Sequence, residues 1–248
     1  MLPMAKPLKD WQETLEKLLL LGLILALGFS VRAFNLNWDA GTHLHPDERY
    51  LTMVAAALEF PESSGDYWDT ANSPLNPANR GQSDYVYGTL PLFLARGVGE
   101  AVNRACLDPR FSLADLFLQV FLGSQPPCWE GLYSGYGGVH LIGRALSVLA
   151  DLGTLVALIL LGRQLYNTWV GLLAGMLYAG AVLPIQHAHF FVVDSFAAVF
   201  VIWTLFFAAR AMLTGRSGWL LLSGVTTGLA LASKVSVWPL AAMVTLAA

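Results

Sequence analysis

Residues 139–162 read VHLIGRALSVLADLGTLVALILLG, and only Arg144 and Asp151 in that run are fully charged. A helix of this length reaches about 36 Å, more than the ~30 Å hydrocarbon core of a bilayer. The apolar positions run round the whole helix rather than along one stripe, which is the pattern of a membrane span. Outward from it, further apolar stretches cover residues 169–185, 195–213 and 218–233, and another begins near Val235 and runs to Ala248. Upstream, Leu18 to Leu36 forms a sixth. The chain is 56% hydrophobic and 12% charged, where a soluble domain of this length is about a quarter charged. The sequence therefore predicts an all-α polytopic membrane protein with about six transmembrane helices, one domain over residues 1–248, and residues 37–137 as its first extracytoplasmic loop. A net charge of −3 argues against a nucleic-acid partner.

Charge placement orients the spans. Lys6, Lys9, Lys17, Arg163, Arg210 and Arg216 fall on one side when the spans alternate from Leu18. The positive-inside rule makes that side cytoplasmic, with the cell membrane as the location. Residues 37–137 carry twelve acids against five arginines, a formal −7, which suits the opposite face. Residues 1–17 read as an amphipathic lead-in. A signal peptide is the alternative for the N-terminus, but Ser30-Val31-Arg32-Ala33 offers no clean small-x-small cleavage site. Arg32, near the outer end of the first span, is expected to snorkel to the interface.

Inside the loop, residues 87–105 read as a helix lying on the membrane, because a span there would place Arg96 at mid-bilayer at a cost of about 3 kcal/mol. Pro46 to Phe60 reads likewise, with Leu51, Val54, Ala55 and Leu58 at helical spacing. Cys106 and Cys128 lie in the same loop and form either a disulfide or two free thiols.

Two polar clusters fall on the outer face. In the first, HPDER (45–49), Asp47 and Glu48 are adjacent and point about 100° apart on a helix. The plain reading is an N-terminal helix cap with Pro46 in the first turn. The functional reading makes Asp47 a general base or metal ligand in a cleft above the membrane. The second cluster, IQHAHFFVVDSF (185–196), holds His187, His189 and Asp194; His187 and Asp194 are spaced to share one helical face. Again the plain reading is a polar turn with a capping Asp. Mixed His and carboxylate suits a divalent ion, although no HxxxH or HExxH spacing supports one. Arg144 at the outer start of one span and Lys234 at the outer end of another are candidate phosphate ligands if they line one cleft. Asp151 lies deeper on the Arg144 face, protonated or paired.

Taken in order, these motifs resemble the polyprenyl-phosphate-dependent glycosyltransferases of the C superfamily, nearest the protein O-mannosyltransferase and aminoarabinose-transferase branch. HPDERYL resembles the family's acidic motif, YGTLPLFLAR its Pro-Leu interfacial helix, GRALSVLADL its Arg-headed span, PIQHAHFFVVDSF its Asp-terminated turn and GLALASKVSVW its Lys motif. The second of these carries one proline, Pro91, where the family often has two. The resemblance implies transfer of a sugar from a polyprenyl-phosphate donor to a hydroxyl acceptor (protein, lipid or glycan) on the extracytoplasmic face, with inversion. In that scheme Asp47 is the general base. Arg144 and Lys234 bind the leaving phosphate, while Asp194 with His187 or His189 orients sugar or acceptor. Glu48, also placed in the substrate site, holds the loop in shape with Arg49. No resident metal or other cofactor is required, though a divalent ion fits. Family members are usually longer, and this chain ends inside an apolar run, so it reads as an N-terminal portion. The alternative from another class is a transporter or flippase subunit with Arg144, Asp151 and Lys234 along its path; a scaffold is a third. No internal repeat supports the transporter.

Overall fold

The computed structural model describes residues 8–108, 113–123 and 128–246 and is helical, with no strand among the described residues. The elements are α1 (Leu8–Ala33), α2 (Pro46–Ala57), α3 (Ser64–Trp68), α4 (Leu90–Cys106), α5 (Leu113–Leu122), α6 (Val139–Leu165), α7 (Thr168–Ala179), α8 (Val182–Ala188), α9 (Val193–Thr214), α10 (Ser217–Ser233) and α11 (Pro239–Leu246). Short 3₁₀ turns at Pro77–Arg80 and Val235–Val237 complete the set. Three helices, α1, α6 and α9, are long and apolar enough to cross a bilayer. The α7–α8 pair makes a fourth if counted as one span bent by 61°, and α10 and α11 are shorter apolar helices. The six expected segments are thus all helical, with fewer full-length crossings among them. Of the expected lead-in, residues 1–7 lie outside the described residues, and the rest is not separate: α1 runs unbroken from Leu8 through the first span.

Two spacings fix the membrane frame. Arg144 to Arg163 is nineteen residues of α6, about 28 Å of helix, and Lys17 to the end of α1 at Ala33 is sixteen, about 24 Å, both comparable to the thickness of the hydrocarbon core. Lys17 and Arg163 mark one end of the bundle. Leu36 and Arg144, joined by a hydrogen bond, mark the other.

At the bend between α7 and α8, Tyr178 O accepts the Ala181 N–H (3.1 Å) but Ala179 O has no helical donor, and in lipid such a group needs a partner. Arg32 supplies it. Its guanidinium donates to Ala179 O (3.0 Å) and Tyr178 O (3.1 Å), and pairs with Asp151. Tyr178 Oη donates to the other Asp151 oxygen at 2.5 Å. Arg32 is fully buried, so the expected snorkelling gives way to an internal cap. Asp151 is thus paired on both oxygens, by Arg32 and by Tyr178. Between α9 and α10, Thr204 Oγ1 donates to Thr226 Oγ1 (2.8 Å) and Ser223 Oγ to Thr204 O (3.3 Å). Such polar clasps hold helices together where lipid removes the hydrophobic drive between them.

The segment between α1 and α6 packs over one end of this bundle. In α4, Arg96 pairs with Glu100 (2.9 Å) and donates to Ala56 O (3.0 Å) and Ser134 O (2.9 Å). The charge therefore sits in a polar seam, as the interfacial reading requires. Cys106 and Cys128 form a disulfide that brackets α5. One apolar cluster joins Leu51, Val54 and Ala55 of α2, Leu92 and Ala95 of α4, Val139 of α6, and Phe191, Val193 and Phe196 around the start of α9. That shared core brings the two polar clusters of the sequence onto one rigid platform.

Candidate functional site

At the centre of the bundle end covered by the segment between α1 and α6 is a buried charge triad. Arg144, one turn into α6, is fully buried. Its Nε and Nη2 donate to the two oxygens of Glu48 at 2.7 and 2.6 Å. Its Nη1 donates to Leu36 O (2.5 Å) and Asp39 Oδ1 (3.0 Å). Four of the five guanidinium N–H groups are thereby engaged, and the Trp38 ring lies 5.3 Å from the guanidinium carbon. Glu48 also accepts the backbone N–H of Phe191 at 2.8 Å. This carboxylate ties α2 both to α6 and to the α8–α9 turn. Phe191 reaches that position because Gly143 has no side chain; a Cβ there would meet the Phe191 ring at 2.2 Å.

The loop that delivers Asp39 and Glu48 is strained. Asn35, Ala40 and His43 adopt left-handed backbone (φ 51°, 48° and 50°), each at a cost of about 1 kcal/mol. The contacts of Arg144 with Leu36 and Asp39 fix it. Burial alone would raise the Asp39 carboxyl, but the hydrogen bond and charge of Arg144 outweigh it and hold Asp39 at about 2. Burial pushes His43 below the ordinary histidine range, so its ring is neutral near pH 7. That ring stacks edgewise on His140 (4.4 Å between centroids) and against Tyr136 (4.5 Å).

Above the triad, α2 begins with His45 as N-cap, its Nδ1 accepting the Glu48 N–H at 3.4 Å, and with Pro46 in the first turn. The expected cap is present. Asp47 is exposed and pairs with no described cation, whereas Glu48 is fully buried. Arg49 does not pair with either acid; its Nε donates to His43 O at 3.1 Å. One helix start therefore presents one carboxylate to solvent and commits its neighbour to the frame.

The second half of the site is the half-buried pair of Lys234 Nζ and Asp194 Oδ1, 2.6 Å apart. Asp194 sits in the first turn of α9, where an acid is favoured by the helix dipole. Lys234 follows the end of α10, and that end is strapped to the loop before α4. Gly88 donates its N–H to Ser233 O (3.2 Å), and Tyr85 Oη donates to Gly88 O (2.8 Å). A Cβ at Gly88 would lie 2.0 Å from Ala232 O, so only glycine permits this approach.

The predicted residues thus separate by environment. Asp47, Asp194 and Lys234 are accessible on the shared platform. Glu48 and Arg144, expected as substrate and phosphate contacts, are locked on each other inside it. His189 sets its Nε2 3.0 Å from Phe34 O and its Nδ1 2.8 Å from Ile185 O, and its carbonyl accepts Trp38 Nε1 at 3.3 Å, so it staples α8 to the end of α1. His187 is half-buried, and its ring has no hydrogen-bond partner among the described residues. It lies in α8 and Asp194 in α9, with the chain turning between them, so they do not share the expected helical face. No group of three or more His, Cys, Asp or Glu among the described residues is arranged to hold a metal ion. Asp39, Gly143 and the Phe191 N–H had no marker in the sequence as parts of the site.

The described residues thus form a helical bundle with three apolar helices long enough to cross a bilayer, or four counting the bent pair, which is compatible with a polytopic membrane protein. Residues 137–248 match the family model described as dolichyl-phosphate-mannose-protein mannosyltransferase. Over these residues, which are less than half of the chain, the sequence is similar to that mannosyltransferase family. No curated protein and no solved structure matches the chain. The matched segment contains Arg144, His187, His189, Asp194 and Lys234, while Asp47 and Glu48 precede it.

Proposed function

We propose that the protein transfers a sugar, mannose on the family match, from a polyprenyl-phosphate donor to a hydroxyl acceptor at the outer membrane surface, with inversion. The observation that carries this reading is the division of labour at the start of α2. Glu48 is spent on Arg144 and the Phe191 N–H, which fixes the helix and leaves Asp47 exposed beside it without a cation.

In the reaction, the Asp47 carboxylate accepts the acceptor O–H proton as that oxygen bonds to the anomeric carbon. The bond from that carbon to the phosphate oxygen breaks on the opposite face, and its electron pair leaves with polyprenyl phosphate. A hydroxyl is a weak nucleophile near pH 7, and a positioned base contributes about 10²–10⁴-fold. Lys234 exchanges its contact with Asp194 for the leaving phosphate, where a preorganised cation stabilises the developing charge. Asp194, so released, accepts hydrogen bonds from sugar hydroxyls. Arg144 acts at a distance, as a positioning residue.

The test is incubation of the purified protein with radiolabelled polyprenyl-phosphate mannose and a hydroxyl acceptor. The expected result is release of polyprenyl phosphate in step with labelled, inverted product. Solute uptake into liposomes without covalent transfer would favour a transporter, and product with retained configuration would refute the single displacement.

A further inference from the structure

At the end of the bundle opposite Asp47 and Lys234, an apolar cavity of about 320 Å³ lies between α1, α6 and α7. Its walls include Leu21 and Leu25 of α1, Ile159 of α6 and Leu172 of α7. Its mouth carries Lys17 and Arg163. Lys17 pairs with Glu13 (2.5 Å, within α1) and lies 5.5 Å from the centre of the Trp169 ring. Arg163 is exposed and pairs with no described acid. Trp11, Tyr166 and Trp169, at 63%, 74% and 48% exposure, surround the same end. Exposed Trp and Tyr at this height mark the headgroup level of a bilayer.

These features have one direction. Cations and aromatics stand where headgroups lie, and the apolar trough descends from them toward the bilayer centre. Lys17 to Leu25 spans about 12 Å of helix, the depth of most of one acyl chain within a leaflet. A neutral lipid would fill the trough but leave the two cations opposite its own choline. An anionic headgroup meets them directly, at about 1 kcal/mol per basic residue near a membrane surface.

We infer that the Lys17–Arg163 cavity is a binding site for an anionic glycerophospholipid, with the headgroup phosphate on the two cations and one acyl chain between α1, α6 and α7. The site lies a full bilayer thickness from the Lys234–Asp194 pair, so it stands apart from the donor chemistry and does not depend on it. Its occupant ties the long first helix to the α6–α7 hairpin at the end away from the Arg32 network.

Native mass spectrometry of the detergent-purified protein tests this, with dioleoyl phosphatidylglycerol and dioleoyl phosphatidylcholine supplied in equal amounts. The wild-type protein is expected to retain the anionic lipid about tenfold over the zwitterionic one. The K17Q/R163Q double variant, whose changes fall at partly exposed positions, should lose that preference to within twofold. Leu25→Trp, which fills the trough, should lower retention of both lipids. Glycerol phosphate at the same concentration should not displace the bound lipid. Absence of preference in the wild type, an unchanged preference in the double variant, or displacement by glycerol phosphate would each overturn the inference.

Discussion

The sharpest contrast in the molecule is between two neighbouring carboxylates. Replacing Glu48 by Gln keeps the shape but not the charge. Three donors converge on Glu48, from Arg144 Nε, Arg144 Nη2 and the Phe191 N–H. A glutamine offers one accepting oxygen, and its amide nitrogen would confront a donor. Arg144 would keep only Asp39 as counter-ion in a fully buried setting. Breaking one arm of a buried, hydrogen-bonded pair costs about 3–5 kcal/mol. Because Glu48 holds α2 to the α8–α9 turn, the loss should reach both Asp47 and Asp194. Asp47→Asn, on an exposed carboxylate without a cation, should change stability by less than about 0.5 kcal/mol. The assay is denaturant unfolding in detergent, followed by tryptophan fluorescence, on the two variants side by side. Equal stability of Glu48→Gln and wild type, or a destabilised Asp47→Asn, would refute the assignment of frame and reagent.

Other outcomes follow from the same geometry. Gly143→Ala should displace Phe191, cost Glu48 the Phe191 N–H and lower the unfolding midpoint well beyond an ordinary Gly→Ala change in a helix, since its Cβ would lie 2.2 Å from the ring. Reducing the Cys106–Cys128 disulfide, which closes a loop of sequence separation 22, should remove about 3 kcal/mol, read by unfolding with and without reductant. Acid should act in two stages in a stability-against-pH series. His43, lowered from 6.5 in the fold, contributes stability above pH 6.5 that is lost as pH falls below it. Asp39, lowered from 3.8 to about 2, contributes about 2 kcal/mol above pH 3.8, lost as pH falls through about 2. Asp39→Asn should abolish only the lower stage. Arg32→Ala should destabilise by about 3 kcal/mol or more, because it leaves Asp151 without its cation and the Ala179 carbonyl without its donor in the membrane.

The apolar helices and the helices of the segment between α1 and α6 were legible because apolar runs and their periodicity are local signals. So was the cap at Pro46, where spacing and residue type suffice. The roles of the charges were not local. Arg144 at the head of a span reads as a phosphate ligand until its partners appear, and those lie 96 and 105 positions away in the chain. Arg32 reads as snorkelling because the carbonyls it caps are 146 and 147 residues downstream. A hint existed in Gly180 and Pro184, which together favour a break in an apolar helix. His187 and Asp194 were expected on one face since nothing in Phe190-Phe191-Val192 signals a turn. Phe191 leaves the helix to satisfy Glu48 and the Gly143 notch, a tertiary demand that overrides the local pattern.

The central claim is that Asp47 is the base of the transfer reaction and not part of the scaffold. Single-turnover transfer from radiolabelled polyprenyl-phosphate mannose, measured alongside donor binding, tests it most directly. Asp47→Asn should bind donor within about twofold of wild type and lose at least 10²-fold in transfer rate. Transfer at the wild-type rate by a folded Asp47→Asn protein would contradict the account.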